Sequence, residues 1–314
     1  MDTAQLKLFL DLARIKNFTR AARNNYLTQP AVSRRIQQLE SELGVRLFER
    51  SRRRVLLSEN GRIFLPYARD ILSRLDEARE EMRESESKPI GRLKVAASPS
   101  IGLYVLPSYL KRFIRLYPKI DLHVEYDLPD RIYASIAAGD LDLGVVAYPV
   151  SKPEVASIPF VTDTIVLICA PTHPLARRSS VHLKDLLGHK FVLLPERLPT
   201  GKAIRQALRR LGVQLDTQME YDNFELIKRT VEMGLGLSMV PRQVAELEVK
   251  NKKLRTLKIM DFTFERPLAI IFRKGRIISS SMHALLSILN PVEADKLKGA
   301  GGKAERPTNT VPRR

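Results

Sequence analysis

The segment TQPAVSRRIQQLESELG, from Thr28 to Gly44, concentrates side chains suited to one kind of chemistry, the recognition of base edges. In bidentate geometry glutamine matches adenine and arginine matches guanine. Gln29, Ser33, Arg34 and Gln37 supply such groups, and Pro30 can pack on a thymine methyl. Val32, Ile36, Leu39 and Leu43 fall at i, i+4, i+7 and i+11, one apolar stripe at helical spacing. At about 100° per residue, Arg34, Gln38 and Ser41 point away from that stripe. No acid precedes Glu40 in this helix. A short way downstream, Arg52, Arg53 and Arg54 suit phosphates or a flanking minor groove. A small bundle that contacts another protein is the competing reading of the same pattern.

A second set of residues points to a small anion. AASPSIG places Ser98, Ser100 and Ile101 where a strand ends and a helix begins, and helix N-termini favour negative charge. LPTGKAIRQ repeats the arrangement, with Thr200 as cap, Gly201 for close approach and Lys202 nearby. VVAYP puts Tyr148 at another strand end, and YDNFE puts Asn223 at a helix start. Each of these also fits an ordinary helix cap. Cys169, in TIVLICAP, reads as an inert core thiol. His173 follows a loop proline with no second ligand at metal spacing, and the five histidines form no HxxxH or HExxH pair. No metal site, cofactor, or paired nucleophile and base is expected, so the chain does not read as an enzyme.

These residues need elements to hold them. Thr28 is a good N-cap, Pro30 is tolerated in a first turn, and Gly44 is a good stop. Before that helix lie one starting at Asp2 or Thr3 and a second, FTRAARNNY, with Thr19 as its expected cap. Two helices, a short turn and a third with a polar outer face make a helix-turn-helix. Phe48, Val55 and Leu57 then anchor a hairpin whose tip is the arginine run, a wing. From Phe64 through Ala68, Ile71, Leu75, Ala78 and Met82 the spacing is 4, 3, 4, 3, 4, an a/d seam that predicts a dimer. A surface helix lying on its own domain is the alternative. Pro89 and Gly91 mark a hinge. From Arg92 onward strands and helices alternate, which predicts a largely parallel sheet covered on both faces. The domains expected are 1–58, a linker helix at 59–88, an α/β part at 89–290, and a disordered basic tail at 291–314.

The chain has 314 residues, a formal charge of +18, one cysteine and no tryptophan. Residues 1–62 hold 13 Lys+Arg against 6 Asp+Glu, an excess of positive charge that suits a polyanion partner. Residues 89–290 hold 29 against 19, which agrees with an anionic ligand. No apolar run reaches about 18 residues, and Asp2 and Lys7 interrupt the start where a signal peptide would be unbroken. A cytoplasmic protein without membrane segments is expected.

FTRAARNNYLTQPAVSRRIQQLESELGVRLFER, followed by LSENGRIFLPYARDIL, resembles the winged helix-turn-helix and linker helix of the LysR-type transcriptional regulators. GRLKVAAS, GDLDLGVV and VEMGLGLSMVP continue the resemblance more weakly. It implies an α/β fold with a two-lobed, periplasmic-binding-protein-like (type 2) effector domain. The partners implied are double-stranded promoter DNA at interrupted inverted repeats, a small effector in the cleft, and RNA polymerase. A homodimer through the linker helix, assembling into a homotetramer, is implied as well. The DNA contacts expected from side-chain chemistry are Thr28, Gln29, Pro30, Ser33, Arg34, Gln37 and Arg52–Arg54. A two-lobed solute-binding protein and a nucleic-acid-processing enzyme are the alternatives. The first leaves the N-terminal block unexplained, and the second lacks a carboxylate cluster for two-metal chemistry.

Overall fold

The computed structural model describes residues 1–49, 55–83, 89, 91–276 and 278–300. The chain divides into two compact units, Met1–Pro89 and Ile90–Arg314. Arg52, Arg53 and Arg54 lie outside the described residues.

The first unit holds α1 (Thr3–Ile15), α2 (Phe18–Asn24), α3 (Gln29–Leu43) and α4 (Glu59–Arg83). A capping box starts α1: Asp2 accepts from the Gln5 N–H at 2.7 Å, and the Gln5 side chain accepts from the Asp2 N–H at 2.8 Å. The cap of α2 is Asn17, whose Oδ1 accepts from the Arg20 N–H at 2.9 Å, so Thr19 lies inside the helix and does not cap it. Asparagine is the stronger cap and already has extended backbone as the chain leaves α1. Thr28 caps α3 through the Ala31 N–H, and Gly44 ends it at φ +68°, a conformation that glycine adopts without Cβ strain. Leu6, Phe9, Leu12, Val32, Ile36 and Leu39 form the core. Glu40 then fixes the entry to the wing, its Oε1 accepting from the N–H groups of Leu47 and Phe48 at 2.7 and 3.1 Å. An antiparallel bridge pairs Phe48 with Leu57.

The seam predicted along α4 is divided between two jobs. Ala68 is fully buried and Phe64 meets Phe9 at 5.3 Å between ring centroids, so both belong to the unit's own core. Ile63, Tyr67, Ile71 and Ala78 are exposed instead.

The second unit runs β1 (Gly91–Ala97), α5 (Pro99–Tyr104), α6 (Leu106–Leu116), β2 (Ile120–Tyr126), α7 (Pro129–Ala138), β3 (Leu143–Ala147) and β4 (Val155–Cys169). It continues with β5 (Ser180–Val181), β6 (Lys190–Leu193), α8 (Pro199–Arg210), β7 (Asp216–Glu220), α9 (Phe224–Glu232), β8 (Ser238–Pro241) and α10 (Arg242–Lys250). β9 (Arg255–Ile259), β10 (Glu265–Arg273), α11 (Ser280–Leu289) and α12 (Pro291–Ala300) complete it. The main sheet has the order β2-β1-β3-β10-β4-β9-β5. Two lobes share it. One core gathers Leu93, Val95, Phe113, Leu143, Val145 and Ile270. The other lobe is filled by Leu167, Phe191, Leu208 and Leu257, with Val192, Ile227 and Val240 on its opposite face.

The sheet is mixed, not largely parallel as the alternation predicts. β1 pairs parallel with β2 and β3, but β10 and β4 run antiparallel to their neighbours. β4 is the reason: one fifteen-residue strand pairs with β10 in the first lobe and with β8 and β9 in the second. β10 brings the chain back and must enter from the opposite end. The tail also departs from expectation, because residues 291–300 are helical. Asn290 accepts from the Glu293 N–H at 3.2 Å, Pro291 opens the helix, and Ala294 is fully buried against the first lobe's core. Proline in the first turn, after an asparagine cap, suits a helix start. Among the described residues no helix is long and apolar enough to cross a membrane.

Candidate functional site

The first site is the outer face of α3. Thr28, Gln29, Pro30, Arg34 and Gln37 are exposed, and Ser33 is half-buried. Among the described residues no carboxylate pairs with Arg34 or Arg35. The acids of the helix are engaged elsewhere: Glu40 holds the wing entry, and Glu42 holds the N-terminal ammonium of Met1. The face therefore offers amides, a hydroxyl and unpaired guanidinium groups with no competing anion, which suits base edges and phosphates.

The second site is the cleft between the lobes. Ser98, Ser100, Leu103, Tyr104 and Leu128 line it from one lobe, and Leu198, Thr200, Asn223 and Phe224 from the other. Four of the expected residues thus meet in one cavity: Ser98, Ser100, Thr200 and Asn223. The other four do not. Ile101 is fully buried in the first lobe's core. Gly201 serves the close approach of α8 to the chain after β6, since a Cβ there would lie 2.4 Å from the Pro195 oxygen. Lys202 is exposed and outside the lining. Tyr148 sits at φ +52°, donates its hydroxyl to the Glu265 carbonyl at 3.3 Å and rests beside Phe264. Burial pushes its phenol well above the usual range.

The roles also shift. Thr200 is inside α8, whose cap position is Leu198, and Ser98 makes no capping hydrogen bond. The Ser98 Oγ is buried and, like the buried Tyr104 hydroxyl, has no hydrogen-bond partner among the described residues. Asn223 does cap, accepting from the Glu225 N–H at 2.7 Å.

The group that sequence reasoning missed is Arg266, only 1% exposed. Its Nε and Nη2 donate to Asp163 Oδ2 at 3.0 and 2.6 Å, and its Nη1 donates to Ser100 Oγ at 3.1 Å. Burial pulls its pKa below the ordinary arginine value, and the Asp163 carboxylate opposes that fall. The two residues face each other in the antiparallel β4–β10 pair, and Arg266 also lines the cleft. The pair's signal in the sequence is a charge interrupting each of two apolar strands, VTDTIVLI and FERPLAIIF. Cys169 is buried and free, and burial raises its thiol to about 11, which keeps it protonated near neutral pH.

Residues 3–62 match the family model described as bacterial regulatory helix-turn-helix protein, lysR family. Residues 86–293 match the LysR substrate binding domain. The probable RuBisCO transcriptional regulator of Cyanidium caldarium is 31% identical over 295 residues, covering 91% of this chain and 93% of that one. The RuBisCO operon transcriptional regulator of Allochromatium vinosum is 31% identical over 280 residues, covering 89% and 92%. A full-length OxyR point variant from Pseudomonas aeruginosa aligns with a TM-score of 0.73 at 25% identity, over 95% of each chain. Full-length CbnR complexed with its target DNA aligns at a TM-score of 0.64 and 22% identity, over 93% of this chain and 99% of that one, a likeness of fold.

Proposed function

The chain belongs to the LysR family, as a DNA-binding transcriptional regulator with an effector-binding domain, and from that premise we propose how each part acts. α3 enters the major groove of a promoter by its N-terminal end and reads an interrupted inverted repeat. Gln29, Ser33, Arg34 and Gln37 meet base edges, Pro30 meets a thymine methyl, and Arg52–Arg54 hold backbone phosphates. Two copies join through the exposed stripe of α4, Ile63–Tyr67–Ile71, and pairs of dimers make a tetramer. RNA polymerase is the further partner, and the cytoplasm the expected compartment.

The single observation that carries the DNA reading is the α3 face itself, with its guanidinium groups free and its acids turned to other work. The RuBisCO names of the Cyanidium and Allochromatium relatives make the promoter of a RuBisCO operon the first natural DNA to offer the purified protein. Footprinting on that promoter and on a duplex selected from a random pool tests the reading. Arg34→Ala should weaken specific binding by about 1–3 kcal/mol per half-site and relax the sequence preference. If Arg34→Ala lowered affinity without changing preference, α3 would be a phosphate contact and not the reading element.

For the cleft we propose a small anionic effector with an apolar body. The apolar walls contributed by Leu103, Leu128, Leu198 and Phe224 suit that body. The Ser98 hydroxyl, buried without a partner, and Arg266 beside Ser100 suit its charged end. Arg266 already holds Asp163, so the site presents a near-neutral pair and favours one carboxylate over a multiply charged ligand.

A further inference from the structure

Tyr26 lies in the turn between α2 and α3, two residues before the Thr28 cap. Its φ is +54°, in the left-handed region where glycine or asparagine fits and a bulky residue is an outlier. The turn requires that conformation. The Tyr26 N–H donates to the Arg23 carbonyl at 3.2 Å and the Leu27 N–H to the Ala22 carbonyl at 2.9 Å, which closes α2 and turns Leu27 onto the core. The demand is on the backbone alone. The side chain is 98% exposed, and among the described residues its phenol touches no hydrogen-bond, ionic or aromatic partner. The fold gains nothing from a large ring held in water at a position that suits glycine.

We propose that Tyr26 is a DNA contact, its hydroxyl donating a hydrogen bond to a backbone phosphate beside the groove that α3 enters. The inference rests on the reading of α3 as a DNA-binding helix and adds a residue to it. The N-terminal end of the second helix of a helix-turn-helix is the end that meets the duplex. Tyr26 stands at that end, beside the exposed Gln29 and Pro30. Arg20 and Arg23, exposed on α2, have no acidic partner among the described residues, so the rim around the phenol is basic. Tyrosine hydroxyls are among the groups that bind phosphate oxygens and set register without reading sequence. A turn locked in the left-handed region also presents the phenol without much loss of backbone freedom on binding.

The test compares full-length wild type, Tyr26→Phe and Tyr26→Gly on a duplex that wild type selects from a random pool and on an unrelated duplex of equal length. Tyr26→Phe should weaken both by about threefold to tenfold, the worth of one hydrogen bond, with the salt slope unchanged because no cation is lost. Tyr26→Gly should bind no better than Tyr26→Phe, yet unfold at no lower temperature than wild type, because glycine suits the turn. Binding of both variants within about twofold of wild type would overturn the inference, being less than one hydrogen bond. A loss confined to the selected duplex would overturn it too, since a phosphate contact is blind to sequence. A wild-type protein that retains no duplex from the pool would overturn the DNA reading of α3 and this contact with it.

Discussion

Arg266 and Asp163 are buried together, with side chains 1% and 2% exposed, and a charge taken that far from water is tolerated only with a partner. Removing one partner therefore costs far more than the pair contributes. Asp163→Asn leaves the Arg266 cation buried and should destabilise the chain by about 3–5 kcal/mol, read from urea unfolding of the full protein. Replacing both, as Asp163→Leu with Arg266→Met, should recover most of that loss, because two apolar side chains of similar size need no compensation. A double variant no more stable than Asp163→Asn would mean that the loss comes from packing between the two strands and not from stranded charge. Ser100 is the third member of this cluster, and its hydroxyl ties the ion pair to the lining of the cleft.

At the level of the element, α4 separates a pattern from its use. Heptad spacing identifies residues on one side of a helix, but it cannot say which surface arrives there first. The packing of α1 takes Phe64 and Ala68 into the unit's core, and the free stripe moves to Ile63, Tyr67 and Ile71. Ile71→Asp should thus convert a dimer to monomers in sedimentation while leaving the unit folded. Phe64→Ala should instead lower stability by about 1–3 kcal/mol, less than the loss of a fully buried aromatic because Phe64 is half-buried against the core. Dissociation of the dimer by Phe64→Ala as well as by Ile71→Asp would restore the predicted seam, which holds both residues. α3 was legible to the residue because its signals are local: cap, proline, apolar stripe and glycine all act within one segment. α12 was not, although its Asn-Pro start is also local, because few apolar residues follow and burial of Ala294 depends on a core built elsewhere. The same limit hid Arg266, whose partner Asp163 lies 103 residues away and joins it only once β4 and β10 have paired. Ser98, Ser100, Thr200 and Asn223 could be found from strand ends and helix starts, whereas the apolar walls beside them are ordinary leucines and a phenylalanine at helix ends, which a sequence does not mark as facing a cleft.

In the two-lobed unit as a whole, the cleft is a joint as much as a pocket. Tyr104 belongs to α5 of the first lobe, yet its ring packs against the core of the second and lies 4.9 Å from the Lys228 ammonium. Lys228 is itself buried between Glu225 and Glu248, at 2.9 and 2.8 Å. Tyr104 and Ser98 line the cleft together with residues of the second lobe, so a ligand held there as proposed would bear on how the lobes are held. A coupling on the order of 1–3 kcal/mol is enough to alter a regulator's affinity for DNA. The orphaned hydroxyl of Ser98 gives this a sign that can be measured. In the free protein Ser98→Ala removes a buried polar atom that has no partner among the described residues, and should leave the unfolding temperature equal or slightly higher. Against a panel of small carboxylates with apolar bodies, wild type should be stabilised by one of them, by about 2.7 kcal/mol at a hundredfold excess over Kd. Ser98→Ala should lose most of that gain if the hydroxyl, which has no partner among the described residues, binds the ligand as proposed. Equal stabilisation of both proteins by the same compound would place the ligand away from Ser98, and a Ser98→Ala protein much less stable than wild type without ligand would show that the hydroxyl already has structural work.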